Sequence, residues 1–251
     1  MYDEKINEYL KFSDGERDYY YYFADGNLDD FRLYIYNKLK KRSEKSKRDH
    51  PWSIRNGGVL YKYHGTDRDL VIPKEIEGVT LTALDRYAFL DTQIDSVVIR
   101  DNITKISSYA FMQSEITGVI MADSVKQIGN KAFLRCSNLK HITLSNKITR
   151  IPEYAFSECS SLKELVLPDS VTEIYAMAFQ NSGLEKLVVS KSLKVINGWG
   201  VFLGCPKSLV IHGPKGCYAE EYAAGESEER RSRDSGKILA FNGRAVLCLN
   251  R

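Results

Sequence analysis

Three regularly spaced cysteines are the side chains best suited to chemistry in this chain. Cys136, Cys159 and Cys205 lie 23 and 46 residues apart, and thiols can form disulfides, ligate zinc or act as nucleophiles. Zinc sites require cysteine pairs separated by about two to four residues, and the sequence has no such pair. Ser182 and Thr92 fill the same slot in other repeats, so we interpret the slot as a position for a small, buried packing residue.

The thiols and the histidines also allow a disulfide or a catalytic site. Cys136 and Cys159 belong to adjacent repeats, and strands stack about 4.8 Å apart, so a disulfide between them stays open on geometric grounds. The odd total of five cysteines is more typical of a reducing compartment. The four histidines are far apart in sequence, and no serine or cysteine accompanies them in a nucleophile pattern. We therefore expect no catalytic residues, no metal site and no cofactor.

The cysteines belong to a longer repeat that is marked by the dipeptide Ala-Phe. Successive copies are separated by 22, 22, 23, 23 and 23 residues. Each dipeptide is followed by the apolar pattern L-x-x-L-x-L and then by a second apolar pair. The copies begin at Ala88, Ala110, Ala132, Ala155 and Ala178, with a Val-Phe variant at Val201.

This period predicts a leucine-rich-repeat solenoid. One coil is too short to close a core, so stacked coils must bury their Leu, Ile and Phe side chains against each other. We expect about six coils of parallel strands joined by turns or short helical segments. The core repeats would span 88–225, with an opening hairpin at 58–87 and a C-terminal cap at 226–251.

The unit AF-x-x-C-x-x-L-x-x-L-x-L-P-x-x-V-x-x-I resembles the BspA-like leucine-rich repeats of bacterial proteins. Residues 58–225 carry the resemblance. The stretch VLYKYHGTDRDLVIPKEIEGVTLTALDRYAF (59–89) is similar to the opening of the family, and IHGPKGCYAEEYAA (211–224) is similar to its last coil. The resemblance implies a right-handed parallel solenoid with a binding role, often at the cell surface, and it implies no catalytic residues.

Side chains between the core positions of each strand should point outward, because side chains alternate along a strand. We name the central outward set the middle column; it consists of Val98, Ile120, Thr143, Val166 and Val188. A neighbouring column contributes His141, Glu164 and Lys186. These eight residues are the candidate partner-binding residues, because contiguous exposed apolar surface often marks a contact site. Strand propensity alone would also explain the aliphatic residues, and so would cover by the N-terminal segment.

Residues 1–50 form a separate segment that contains no repeat and is rich in charge and tyrosine. Ser13 and Glu16 match a capping box, which predicts a helix through DGERDYYYYFA. Apolar spacing predicts a second helix over LDDFRLYIYNKLKKRSEK. The segment is interpreted as a helical cap on the solenoid of residues 51–251, or as a separate interaction module.

Charge and hydropathy limit the classes of partner. The net charge of +3 is too small to predict nucleic-acid binding, and Glu44 interrupts the basic run KKRSEKSKR (40–48). No apolar run approaches the roughly 18 residues of a membrane span. The charged N-terminal stretch shows no secretory signal, which favours a cytoplasmic location. We expect a non-enzymatic scaffold for an unidentified protein, with homodimerisation through the middle column or a cell-surface adhesin-like role as alternatives.

Overall fold

The computed structural model of the chain describes residues 2–6, 9–13, 18–22, 51–55, 57–219, 222 and 246–248. The chain divides into two compact units, Met1–Pro51 and Trp52–Arg251. In the first unit, β1 (Tyr2–Ile6), β2 (Tyr9–Ser13) and β3 (Asp18–Tyr22) form an antiparallel sheet in that order.

The helix predicted from the capping box is wrong, because the tyrosine run lies in β3. Consecutive aromatic side chains lose rotamer freedom in a helix and are favoured in strands. That preference outweighs the contribution of a single N-terminal cap. The second predicted helix, at residues 28–45, lies outside the described residues.

The second unit opens with an antiparallel hairpin of β4 (Trp52–Arg55) and β5 (Val59–Tyr63). Most of the following coils contribute one strand to each of two faces. The long-strand face contains β6 (Asp69–Val71), β10 (Ser96–Ile99), β12 (Gly118–Met121), β14 (His141–Thr143), β16 (Glu164–Val166), β18 (Lys186–Val188), β20 (Val210–Gly213) and β21 (Val246–Cys248). The short-strand face contains β5, β9 (Ala83–Leu84), β11 (Lys105–Ile106), β13 (Gln127–Ile128), β15 (Arg150–Ile151), β17 (Glu173–Ile174) and β19 (Val195–Ile196).

Parallel pairing between coils confirms the predicted solenoid. Strand β10 pairs in parallel with β12, with Val97 opposite Val119, and β16 pairs with β18, with Leu165 opposite Leu187. The stretch before the first Ala-Phe is already part of the stack, because β6 pairs in parallel with β10 and β9 pairs with β11. Within that stretch, β7 (Glu75–Ile76) and β8 (Val79–Thr80) form a small antiparallel ribbon.

The bends between strands are turns, and the helical segments expected as an alternative are absent from residues 57–217. Two residues with positive φ flank each Ala-Phe, for example Tyr87 (59°) and Asp91 (51°). In the last coil glycine takes both places, at Gly200 (66°) and Gly204 (73°). The left-handed conformation costs other residues roughly 1–2 kcal/mol each. It is held by bonds between coils, such as the Arg135 N–H donating to the Ser157 carbonyl at 2.9 Å.

At the centre of the aliphatic core runs a column of phenylalanine rings, one from each Ala-Phe or Val-Phe coil. Neighbouring rings are nearly parallel, with centroids 4.7 Å apart for Phe89 and Phe111 and 5.8 Å apart for Phe156 and Phe179. Such offset stacking adds about 0.5–1.5 kcal/mol per pair beyond the burial of area. The column is formed by Phe89, Phe111, Phe133, Phe156, Phe179 and Phe202.

Strand pairing is interrupted once on each face within the coils. The long-strand face breaks between β14 and β16, and the short-strand face breaks between β13 and β15. One cause on the short-strand face is Pro152, which has no N–H. At the equivalent places, the N–H groups of Gly129 and Tyr175 donate to carbonyls of the preceding coil, Ile106 and Ile151, at 2.8 and 2.9 Å. We call the break between β13 and β15 the short-face seam.

Candidate binding surface

The structure aligns the middle column in strand register. Val98 lies opposite Ile120, and Ile120 lies opposite Thr143, in one sheet. Val166 lies opposite Val188 in the next sheet, beyond the break between β14 and β16. Ile120 and Val166 are 54% and 56% exposed, whereas Val98 and Val188 are half-buried. The column is therefore a strip of accessible apolar surface on the long-strand face.

The sequence interpretation missed one member of this strip. Val71 on β6 lies opposite Val98 and is 48% exposed. Its neighbours Leu70 and Ile72 are buried. The alternation of Leu70, Val71 and Ile72 is the same period-two signal that identified the other strands. Val71 lies before the first Ala-Phe, so the spacing of that dipeptide does not include it.

The neighbouring column is charged and largely self-neutralised. The Lys186 ammonium is 2.6 Å from a Glu164 carboxylate oxygen, and Lys163 is 3.1 Å from Glu185. Exposed ion pairs of this kind contribute about 0–1 kcal/mol to stability. His141 is exposed on β14, which does not pair with β16. Positively and negatively charged side chains thus border the strip.

The repeated cysteines pack inside the coils. The thiols of Cys136 and Cys159 are free, fully buried, and donate to the Phe111 and Phe133 carbonyls of the preceding coil at 3.0 and 3.1 Å. Burial raises the pKa of both thiols, because a thiolate would lose its hydration. Cys205 makes the same bond to the Phe179 carbonyl at 3.1 Å. These contacts agree with the packing interpretation of the slot.

Alkylation of Cys136 and Cys159 by iodoacetamide is therefore expected to occur only when the solenoid unfolds. The reactive species is the thiolate, and burial disfavours it in the native state. Peptide mapping by mass spectrometry after timed labelling, in buffer and in denaturant, would measure both rates. Equal rates in the two conditions would show that these thiols are accessible in the native chain.

One pairing was not expected from sequence. The Ser53 hydroxyl lies 2.9 Å from Nε2 of His64, across the β4–β5 hairpin. Ser53 is only 1% exposed, so no substrate can reach its hydroxyl. We interpret the bond as one that satisfies a buried polar group. The two residues are 11 apart, and His64 follows the last residue of β5. Predicting the bond would first require predicting the antiparallel pairing of β4 and β5.

No group of three or more His, Cys, Asp or Glu side chains among the described residues could hold a metal ion. No helix within the described part of the chain is long and apolar enough to cross a membrane.

The fold defines a leucine-rich-repeat solenoid, and comparison with known families makes the class more specific. The family model of the BspA type leucine rich repeat region matches residues 82–208 in six copies. The chain belongs to this family. No curated protein matches the chain.

Several solved bacterial structures are similar to parts of the chain. A leucine rich cell surface protein from Faecalibacterium prausnitzii A2-165 is 28% identical, with a TM-score of 0.47; the match covers 56% of this chain and 37% of that one. A leucine rich repeat protein from T. pallidum is 25% identical, with a TM-score of 0.45 and coverage of 64% and 67%. The pneumococcal vaccine antigen PcpA is 17% identical, with a TM-score of 0.43 and coverage of 66% and 62%. These comparisons give the expected cytoplasmic location no support.

Proposed function

We propose that the chain is a non-enzymatic scaffold that binds another protein through the long-strand face. The observation that carries the proposal is the exposure of Ile120 and Val166 at equivalent strand positions on the long-strand face. Single exposed aliphatic residues are ordinary on protein surfaces. Several of them on neighbouring strands of one face, here Ile120 beside Val98 and Val166 beside Val188, are typical of a contact site.

The borders of the strip suggest the chemistry of the partner. Because Lys186 is paired with Glu164 and Lys163 with Glu185, the face carries little net charge beside the strip. A partner with an apolar patch of its own would gain more from this face than a strongly charged one. Binding should therefore depend only weakly on salt concentration.

The test compares three full-length baits in pull-downs from the lysate and surface fraction of the source organism. They are the native chain, the strip variant Ile120→Glu/Val166→Glu, and a control, Thr104→Glu/Asn197→Glu. The control adds the same two charges at exposed positions outside the long-strand face. We expect one protein to be retained by the native chain and the control and lost by the strip variant. Burying two unpaired carboxylates should weaken binding by about 30-fold or more.

Retention of the same protein by all three baits would place its site away from the strip and overturn the proposal. Circular dichroism of each bait shows whether the substitutions preserve the fold. Light scattering over a range of concentrations separates a foreign partner from a second copy of the chain. A native dimer that becomes monomeric in the strip variant would identify self-association as the function of the face.

A further inference from the structure

A second surface feature lies on the short-strand face, between β13 and β15. It is a crevice of about 330 Å³, which falls at the lower end of the roughly 300–1,000 Å³ of small-ligand pockets. Half of the lining residues are cationic and none is acidic. The lining consists of Lys126, Gln127, Ile128, Lys147, Thr149 and Arg150.

The crevice exists because a backbone hydrogen bond between neighbouring coils is missing at the short-face seam. In neighbouring coils the N–H of Lys126 donates to Thr104, and that of Thr172 donates to Thr149, both at 2.8 Å. Among the described residues, no carbonyl accepts the N–H of Thr149. The hydroxyls of Thr104 and Thr172 also donate to the preceding coil, each at 3.2 Å. No corresponding bond joins Thr149 to Lys126 within the described part of the chain. The seam therefore offers an unpaired N–H and an unpaired hydroxyl beside three cations.

The nearby carboxylates are engaged elsewhere. Asp123, which feels the charge of Lys147, accepts from the backbone N–H of Asn146 at 2.8 Å and from its side-chain amide at 3.3 Å. Glu173, opposite Arg150 in register, accepts from the Tyr175 hydroxyl at 2.6 Å, and Arg150 interacts with the same hydroxyl.

None of the three cations lining the crevice forms an ion pair with a carboxylate of the described residues. Asp123 and Glu173 therefore offset the positive charge of the crevice only from a distance, and the three cations keep donors for a ligand. Lys105, which lies opposite Gln127 on β11, adds a further positive charge to the same face.

We propose that this crevice binds a phosphate or sulfate group. Its lining offers five kinds of donor: two ammonium groups, a guanidinium, the Gln127 amide, a hydroxyl and a backbone N–H. The acceptors beside them are the Gln127 amide oxygen and the Lys126 and Ile128 carbonyls, which lose their donors at the seam. A tetrahedral oxyanion presents acceptor oxygens in several directions, and inorganic sulfate and phosphate also carry more charge than one carboxylate. Arginine forks and lysine ammonium groups both suit such oxygens. The site lies on the short-strand face, whereas the strip lies on the long-strand face, and the site does not depend on the proposed protein binding.

The proposal can be tested by ¹H–¹⁵N NMR of the full chain. Sodium phosphate or sodium sulfate is titrated at constant ionic strength, with chloride as the balancing anion. We expect saturable shifts at the amides of Thr149 and Gln127. Phenyl phosphate and phenyl sulfate then show whether the natural ligand is an ester or a free ion. Tighter binding of an ester points to a group carried on a larger ligand. Tighter binding of the inorganic ion points to a free anion.

Two lysine variants make the test specific. Lys126→Gln/Lys147→Gln should weaken binding about tenfold or more, since each removed charge acts at close range. The control Lys74→Gln/Lys140→Gln removes the same charge at exposed positions that do not line the crevice, and it should bind as the native chain does. Shifts that grow linearly without saturation, or equal weakening in both variants, would overturn the proposal in favour of general charge screening.

Discussion

Replacing Phe156 with alanine is expected to lower the free energy of unfolding by about 3–5 kcal/mol, the usual range for a fully buried aromatic. The ring is 0% exposed and lies between Phe133 and Phe179, with centroids at 5.4 and 5.8 Å. Truncation removes two stacking contacts and leaves a void inside a close-packed coil. The backbone on either side is fixed by bonds between coils, so the void cannot easily collapse.

A matched control is available at the end of the same column. Phe202 stacks on Phe179 at 5.7 Å but meets only the edge of Tyr222 at 6.3 Å, and it is 7% exposed. Phe202→Ala should therefore cost less than Phe156→Ala. Urea unfolding followed by circular dichroism would measure both values. Equal losses, or a loss below about 1 kcal/mol at Phe156, would contradict the idea that the ring column holds the coils together.

The core of the solenoid was predictable because one physical requirement repeats in every coil. Each coil must place the same side chains against the next, so the spacing of Ala-Phe reports the register directly. Val97 and Val119 are 22 residues apart and lie opposite each other in the structure. The outward alternation that predicted the middle column follows from the same register. Whether that column binds a protein is a separate question, which strand periodicity does not answer.

The departures from the repeat were harder to predict, because each depends on contacts between coils. The absence of an N–H at Pro152 is visible in the sequence, but its effect requires knowing that this position donates to the preceding coil. The crevice at the short-face seam was missed for that reason. The helix prediction for the tyrosines of β3 was wrong for a different reason. The capping-box signal at Ser13 and Glu16 favoured a helix, whereas the aromatic residues favoured a strand. The strand forms because it pairs with β2.

A second large effect is expected at Gly183, where alanine should destabilise the chain by about 1–3 kcal/mol through overpacking. A Cβ built on Gly183 would lie 1.9 Å from the Ser160 carbonyl oxygen and 2.7 Å from its carbonyl carbon. Those atoms are backbone and cannot rotate away. The close approach arises because the bend after Phe156 is one residue longer than the bend after Phe179. A short bend stacked on a long one leaves no room for a side chain.

Glu115 is the matched control, because it holds the same place where a short bend stacks on another short bend. Its N–H donates to the Thr92 carbonyl at 3.0 Å, as that of Gly183 donates to Cys159 at 3.1 Å. Glu115→Ala should change stability by less than about 0.5 kcal/mol, as for ordinary surface positions. Thermal and urea unfolding of both variants would measure the contrast. If Gly183→Ala left the free energy of unfolding unchanged, the coils could separate locally at little cost. The difference in bend length would then have no steric consequence.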